Sequence, residues 1–271
     1  MTTDTPRTGG LRRSAAVLAG CVGASFVVWL PSLWAGFTGD DLEGVLRAVG
    51  GGAVRSGLGP ALQLRPLSDL SLRLDHALYG LDASGYHLTN VVLHGVVAAL
   101  VAALATALWR DVDRLPDLPG WLPGGLAAAV FLLMPSHSEA VAWVGGRGDL
   151  LVAVGTLWSL LAWWQVMGVR DHTGDGPSHG APAWTAVSLG ALAVALAAKE
   201  TAATWPLVLS ALEVCRALAR TRSGTAARGG TALRAAARPW PAYALVAVWF
   251  AVRWVRLGVP FGSYGSGSLT E

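Results

Sequence analysis

The sequence predicts an all-α, polytopic transmembrane helix bundle, and three observations carry that prediction. Of the 271 residues, 53% are hydrophobic and only 14% charged, and the mean hydropathy is +0.49. A soluble domain covers its surface with about 25% charged residues. The second observation is a series of apolar runs near the ~20 residues that cross a bilayer. The third is the placement of tryptophan and arginine at the ends of those runs.

Seven runs are expected to span. Residues 15–34 follow Arg7, Arg12 and Arg13 and read as an uncleaved signal anchor, because no small-x-small site follows the apolar core. The others are residues 86–109, 121–135 (short), 149–168, 184–198, 201–214 (short) and 240–255. Trp109, Trp121, Trp184, Trp240 and Trp254 mark span ends as an aromatic belt does.

Arginine sets the expected orientation. Between Arg216 and Arg238 lie Arg220, Arg222, Arg228 and Arg234 with no acid, so this segment is expected in the cytoplasm. An even number of crossings then places residues 1–14 inside as well. The outer side receives residues 35–85, the turn at 136–148, the Lys199-Glu200 junction and the tail. The domain reading is a cytoplasmic tail (1–14), a membrane domain (15–256, with an outer loop at 35–85 and an Arg-rich inner loop at 215–239) and a flexible outer tail (257–271). Lys199 is the only lysine among 20 basic residues, which fits a high-GC genome. The expected location is a bacterial plasma membrane with the N-terminus in the cytoplasm.

The basic residues flank apolar spans rather than forming one patch, so nucleic acid is not an expected partner. Cys21 and Cys215 fall at different membrane depths, and neither a disulfide nor a metal framework is expected of them. In the first outer loop Leu67, Leu70, Leu72, Leu74, Leu78 and Leu81 alternate with Ser, Asp and Arg. That pattern predicts an amphipathic helix on the membrane surface.

Four polar clusters fall on the expected outer side. Gly39-Asp40-Asp41 offers either a helix N-cap for residues 42–49 or a general base with a positioning carboxylate, and one Asp can cap while the other reacts. His87, Asn90 and His94 share one helix face at i, i+3, i+7. Such a face either bonds a neighbouring helix or lines a wet cavity. The turn around His137, Glu139, Arg147 and Asp149 is either simply solvated or a binding wall, with Arg147 able to grip a phosphate through paired N–H groups. Lys199-Glu200 joins two apolar spans, as a surface ion pair or as charge facing a cavity.

In order, these strings resemble the GT-C class of polytopic glycosyltransferases, and within it the membrane part of the tetratricopeptide-repeat transmembrane O-mannosyltransferases. The strings are Phe37-Thr38-Gly39-Asp40-Asp41, Arg65-Pro66-Leu67-Ser68, Gly85-Tyr86-His87-Leu88-Thr89-Asn90-Val91-Val92-Leu93-His94, Pro135-Ser136-His137-Ser138-Glu139-Ala140-Val141-Ala142-Trp143, Gly146-Arg147-Gly148-Asp149-Leu150-Leu151 and Lys199-Glu200. The resemblance covers roughly residues 34–206. It implies transfer of a sugar, typically mannose, from a polyprenyl-phosphate donor to a hydroxyl of a protein or glycan outside the cytoplasm. It also implies an aspartate of the first outer loop as base, here Asp40 with Asp41 as runner-up. The remaining candidates for substrate binding are Arg65, His87, Asn90, His94, His137, Glu139, Arg147, Asp149, Lys199 and Glu200.

A hydroxyl is a poor nucleophile, so a carboxylate must take its proton. The leaving phosphate needs fixed cations, for which Arg147, Arg65 and Lys199 are candidates. His137, Glu139 and Asp41 have ligand chemistry but no metal-site spacing, and no cofactor is expected. The chain departs from the pattern at Met134, where the family often has histidine, in lacking tetratricopeptide repeats, and in stopping after a seventh span. A shortened or truncated, non-catalytic membrane subunit is therefore the main alternative. A transporter is the other, disfavoured because transport charges belong near the midplane.

Overall fold

The computed structural model describes residues 6–50, 64–110, 119–173, 180–222 and 231–258. Helices α1 (Pro6–Trp29), α2 (Asp41–Ala48), α3 (Pro66–Tyr79), α4 (Ala83–Arg110), α5 (Leu122–Leu133), α6 (Ser138–Ala142), α7 (Arg147–Thr173), α8 (Ala181–Ala198), α9 (Trp205–Arg222), α10 (Thr231–Ala237) and α11 (Trp240–Leu257) follow in order, with no strand among the described residues. The all-α polytopic bundle is thus what the chain forms. The expected tail at 262–267 and Arg228 of the inner loop lie outside the described residues.

Five helical stretches are long and apolar enough to cross a bilayer: Arg12–Trp34, Ala83–Arg110, Val144–Gly168, Ala181–Ala198 and Glu200–Ala219. A sixth exists if α5 and the segment Pro135–Ala142 count as one span, but they meet at 58°. Pro135 is the cause of that break. It holds Met134 in an extended conformation (φ −73°, ψ 116°) and cannot donate into the preceding turn. The seventh expected span, 240–255, is helical as α11 but does not join the other five, because Arg253 and Arg256 together with Pro241, Tyr243 and three tryptophans lower its mean hydropathy.

Contacts divide the chain into two units, Met1–Gly52 with Ser68–Leu157, and Ala53–Leu67 with Trp158–Glu271. In the first unit α1 and α5 both pack on α4. Cys21, Ala98, Ala102, Ala128 and Leu132 form their shared core, with Phe131 against it. Without a hydrophobic driving force in lipid, helices associate by close van der Waals approach, and small residues permit it. Gly95 is the tightest point of α1 against α4, since a Cβ there would sit 2.5 Å from the backbone Cα of Val22. Gly95→Ala is therefore expected to cost about 1–3 kcal/mol, because backbone on both sides must move. A lowered midpoint of thermal unfolding in detergent would register it, and an unchanged midpoint would refute this packing.

Helix α4 has 28 residues, about 42 Å against a hydrocarbon core of about 30 Å. Its first turns thus reach beyond the apolar layer. There α2, α3 and the turn Val144–Gly146 gather around Tyr86, with Val45, Ala48, Leu72 and Val144 in the core and Phe37 edge-on to the Tyr86 ring. Arg73 of α3 donates to the Ala48 carbonyl at the end of α2. The expected amphipathic helix is α3, with Leu70, Leu74 and Leu78 exposed along one side and Leu72 and Asp75 buried on the other.

In the second unit α11 packs on α8, and α10 on α9. Ser159 of α7 and Ser188 of α8 bond each other reciprocally, Ser188 donating to the Ser159 carbonyl at 2.9 Å. Glu213, buried on α9, accepts from Trp163 Nε1 and from Arg238, both at 3.1 Å. A carboxylate in an apolar helix needs such partners to remain charged.

Candidate functional site

The aspartate pair stands on a turn made by Gly39, whose φ of +58° lies in the left-handed region that favours glycine. The two carboxylates have opposite environments. Asp41 is 2% exposed. Its Oδ2 accepts from the Thr38 N–H (3.0 Å) and hydroxyl (3.3 Å), and its Oδ1 accepts from the Gly145 N–H at 2.8 Å. Asp41 thus ties the aspartate turn to the Val144–Gly146 turn. Asp40 occupies the N-cap position of α2 without capping it. Its side chain is exposed and engages in no hydrogen bond or ion pair among the described residues. The capping expectation is corrected here: neither carboxylate accepts from the first N–H groups of α2, and Asp41 reaches back to Thr38 instead.

Behind this turn lies a buried ionic network. Arg147 is 1% exposed. Its Nε donates to Asn90 Oδ1 (2.9 Å), its Nη2 to the Tyr86 carbonyl (2.8 Å) and its Nη1 to Ser71 Oγ (3.3 Å). The Nη1 also pairs with Asp75 Oδ2 at 2.5 Å, and Thr89 Oγ1 donates to the other Asp75 oxygen at 2.9 Å. Asn90 Nδ2 donates to the carbonyls of Val141 and Trp143. This corrects the expectation that Arg147 grips a phosphate. Its guanidinium is spent on Asp75, the Tyr86 carbonyl and the Asn90 and Ser71 side chains, and it is buried from solvent. Gly146 is required beside it, since a Cβ there would lie 2.6 Å from the Glu139 carbonyl.

A second chain of contacts runs through the histidines. Ser25 Oγ donates to the Val91 carbonyl at 2.8 Å. With its proton so used, it accepts from His94 Nδ1 at 3.0 Å. His94 Nε2 then carries the lone pair and faces His137 Nδ1 at 3.4 Å. His137 Nδ1 also lies 3.0 Å from the Phe131 carbonyl, which can only accept. The hydrogen on His137 is therefore assigned to Nδ1, leaving Nε2 able to accept. Phe131 stacks on His94 and tilts against His137. His87 is fully buried on the same helix, with neither ring nitrogen hydrogen-bonded.

Glu139 is exposed and Asp149 half-buried in the first turn of α7, where the helix dipole favours a carboxylate. The residues of the first three clusters all belong to the first unit. Among the described residues no three His, Cys, Asp or Glu side chains gather as metal ligands, so His137, Glu139 and Asp41 do not form a set.

The fourth cluster belongs to the second unit. Lys199 is extended (φ −161°, ψ 145°) at the break between α8 and the short 3-10 turn Glu200–Thr204. Glu200 accepts from Arg65 Nε at 3.1 Å and Nη2 at 2.7 Å, a two-point pair. Arg253 Nη1 approaches the same carboxylate at 3.6 Å.

Over 229 residues the chain is 34% identical to Protein O-mannosyl-transferase Tmtc1 of Drosophila melanogaster, covering 78% of this chain and 24% of that protein. The chain is a homologue of the TMTC-type protein O-mannosyl-transferases. Tmtc2 of the same organism is 34% identical over 216 residues (73% of this chain, 21% of the relative), and TMTC4 of Homo sapiens 32% over 147 residues (52% and 19%). The chain thus spans about a quarter of the length of these TMTC relatives. No family model and no solved structure matches it.

Several residues beyond the TMTC-like strings belong to these networks and were not singled out from sequence, among them Ser25, Ser71, Asp75, Gly145 and Arg253. Asp75 sits among leucines in a helix that reads as amphipathic, so its inward direction is invisible in the pattern. Arg253 did carry a signal, being an arginine inside an expected span, and such residues are functional by default.

Proposed function

We propose that this chain is the membrane part of a glycosyltransferase that moves mannose from a polyprenyl-phosphate donor to a hydroxyl of a protein acceptor. The observation that carries the reading is the division of labour at Asp40 and Asp41, in a chain homologous to the TMTC proteins. Asp41 is committed to the turn, while Asp40 presents an exposed carboxylate with no side-chain hydrogen bond or ion pair among the described residues. In this reading Asp40 accepts the proton of the acceptor hydroxyl as its oxygen attacks the anomeric carbon. The bond from that carbon to the phosphate oxygen breaks, polyprenyl phosphate leaves, and the anomeric centre inverts. The departing phosphate needs fixed positive charge beside it. With the bent pair Leu122–Leu133 and Pro135–Ala142 taken as one span, six crossings precede the arginine-rich loop, and the arginine asymmetry then supports a cytoplasmic N-terminus and the aspartate pair outside.

The test is transfer of labelled mannose from polyprenyl-phosphate mannose to serine- or threonine-rich peptides, by the purified chain in proteoliposomes. Label appearing on hydroxyl side chains is the expected result. Absence of transfer to peptide, with the chain folded and the donor present, would reject the reading.

A further inference from the structure

With no side-chain partner among the described residues, Asp40 is aimed by its backbone, and that backbone is a closed turn. The Asp41 N–H donates to the Thr38 carbonyl at 3.1 Å, and the Asp41 carboxylate takes the Thr38 N–H in return at 3.0 Å. Asp40 stands at the corner between them. The Gly145 N–H donates to Asp41 Oδ1 at 2.8 Å and so anchors this turn to the Val144–Gly146 turn, 104 positions away. The placement of Asp40 therefore follows that of the second turn.

Asn90 of α4 holds the second turn from both ends. Its Nδ2 donates at 3.1 Å to the carbonyl of Trp143, the residue before the turn, and at 3.3 Å to the Val141 carbonyl. Its Oδ1 accepts at 2.9 Å from Nε of Arg147, the residue after the turn. Carbonyls only accept and a guanidinium only donates, so the amide has a single orientation. Val141 and Trp143 lie at the end of α6, where the last carbonyls of a helix lack partners within it. Asn90 is fully buried, with both ends of its amide engaged. The turn has little slack of its own. A Cβ on Gly145 would lie 2.6 Å from the Trp143 indole, and one on Gly146 2.6 Å from the Glu139 carbonyl. Because α1 and α5 both pack on α4, the anchor is a braced helix rather than a loop.

We propose that Asn90 is a positioning residue for Asp40. From α4 it fixes the Val144–Gly146 turn, whose Gly145 N–H holds Asp41 and so aims the neighbouring carboxylate at the acceptor hydroxyl. The inference rests on the transferase reading. A base acts only within hydrogen-bond reach of the proton it takes, and a displacement of about 1 Å can cost about 10²-fold in rate. Asn90 acts by placing that carboxylate and touches no substrate.

The experiment pairs kinetics with hydrogen exchange on the full chain in proteoliposomes. Asn90→Leu, close in size but without the amide, is expected to lower kcat for mannose transfer about 10²-fold, with KM for donor and peptide unchanged. In an Asp40→Asn background the same substitution should cost nothing further, since the group it places is already gone. Amide exchange at residues 36–42 and 143–147 should quicken about ten-fold, with α5 unchanged. Asn90→Asp keeps an acceptor for Arg147 but cannot donate, and should reproduce both effects. A raised KM at unchanged kcat would put Asn90 in contact with substrate and overturn the proposal. So would a full additional loss in the Asp40→Asn background, or exchange at 36–42 indifferent to both variants. Should neither variant fold, the wild type still decides: residues 36–42 exchanging as fast as an unstructured peptide overturns the proposal, and protection there upholds it. Exchange needs no substrate, so the Asn90-dependent protection without mannose transfer would sink the transferase reading alone. Transfer with protection that ignores Asn90 would sink this inference alone.

Discussion

Asp40→Asn is expected to lower mannose transfer by about 10²–10⁴-fold, the range general-base removal commonly produces, with the unfolding midpoint unchanged. Both halves of this expectation come from geometry. The side chain is exposed and makes no hydrogen bond or ion pair among the described residues, so amide for carboxylate removes no structural contact. What it removes is the lone pair that takes the acceptor's proton. Asp41→Asn is expected to behave in the opposite way. Its two oxygens accept from Thr38 and Gly145, and an amide can accept through only one of them. One partly buried N–H would then face an N–H₂ group, costing about 1 kcal/mol. Thermal unfolding and initial-rate assays on both variants decide the matter. Asp41→Asn inactive at full stability, beside an active Asp40→Asn, would transfer the base to Asp41.

The second large effect is expected at the Arg147–Asp75 pair, and it concerns folding. Removing one partner strands the other charge in the protein interior, and breaking a buried pair in this way costs about 3–5 kcal/mol. Asp75→Ala should therefore abolish or sharply lower the cooperative unfolding transition. Arg147→Met should do the same, since Asn90, Ser71 and the Tyr86 carbonyl lose their donor together. The double variant Asp75→Leu with Arg147→Met leaves no uncompensated charge, and apolar replacement of such pairs is often neutral or stabilising. It is expected to recover most of the lost stability. Two single losses that simply add in the double variant would show that the residues do not act as a pair. Transfer activity in the recovered double variant is the informative second readout. If Arg147 gripped phosphate, as its place in the turn suggests from sequence alone, activity would stay lost.

Much of the architecture is legible in the chain because membrane spans are written locally. A helix of apolar residues satisfies its own backbone, so runs such as 86–109 and 184–198 announce α4 and α8 without reference to anything distant. The histidine face of α4 is legible for the same reason, since 3.6-residue periodicity places His87, Asn90 and His94 together and all three are buried. Residues 240–255 show the limit of that reading. The helix forms but is not among the stretches apolar enough to cross, because Arg253 and Arg256 together with Pro241, Tyr243 and three tryptophans lower its mean hydropathy.

By itself, then, the sequence determined that this is a polytopic helical membrane protein, where its helices run, and which polar strings interrupt them. Those properties depend on transfer of short segments from water to lipid, a sum over neighbours in the chain. Only the tertiary structure decided which charges are spent and which are available. Asp41 meets Gly145 across 104 positions, Arg147 meets Asn90 across 57, and Arg65 meets Glu200 across 135. A charge's availability is set by whichever group shares its desolvated space, and a one-dimensional pattern holds no record of that neighbour. That is why Arg147, prominent in its motif, is buried against Asp75, while Arg253, inconspicuous near the end of the last helix, is buried beside Glu200.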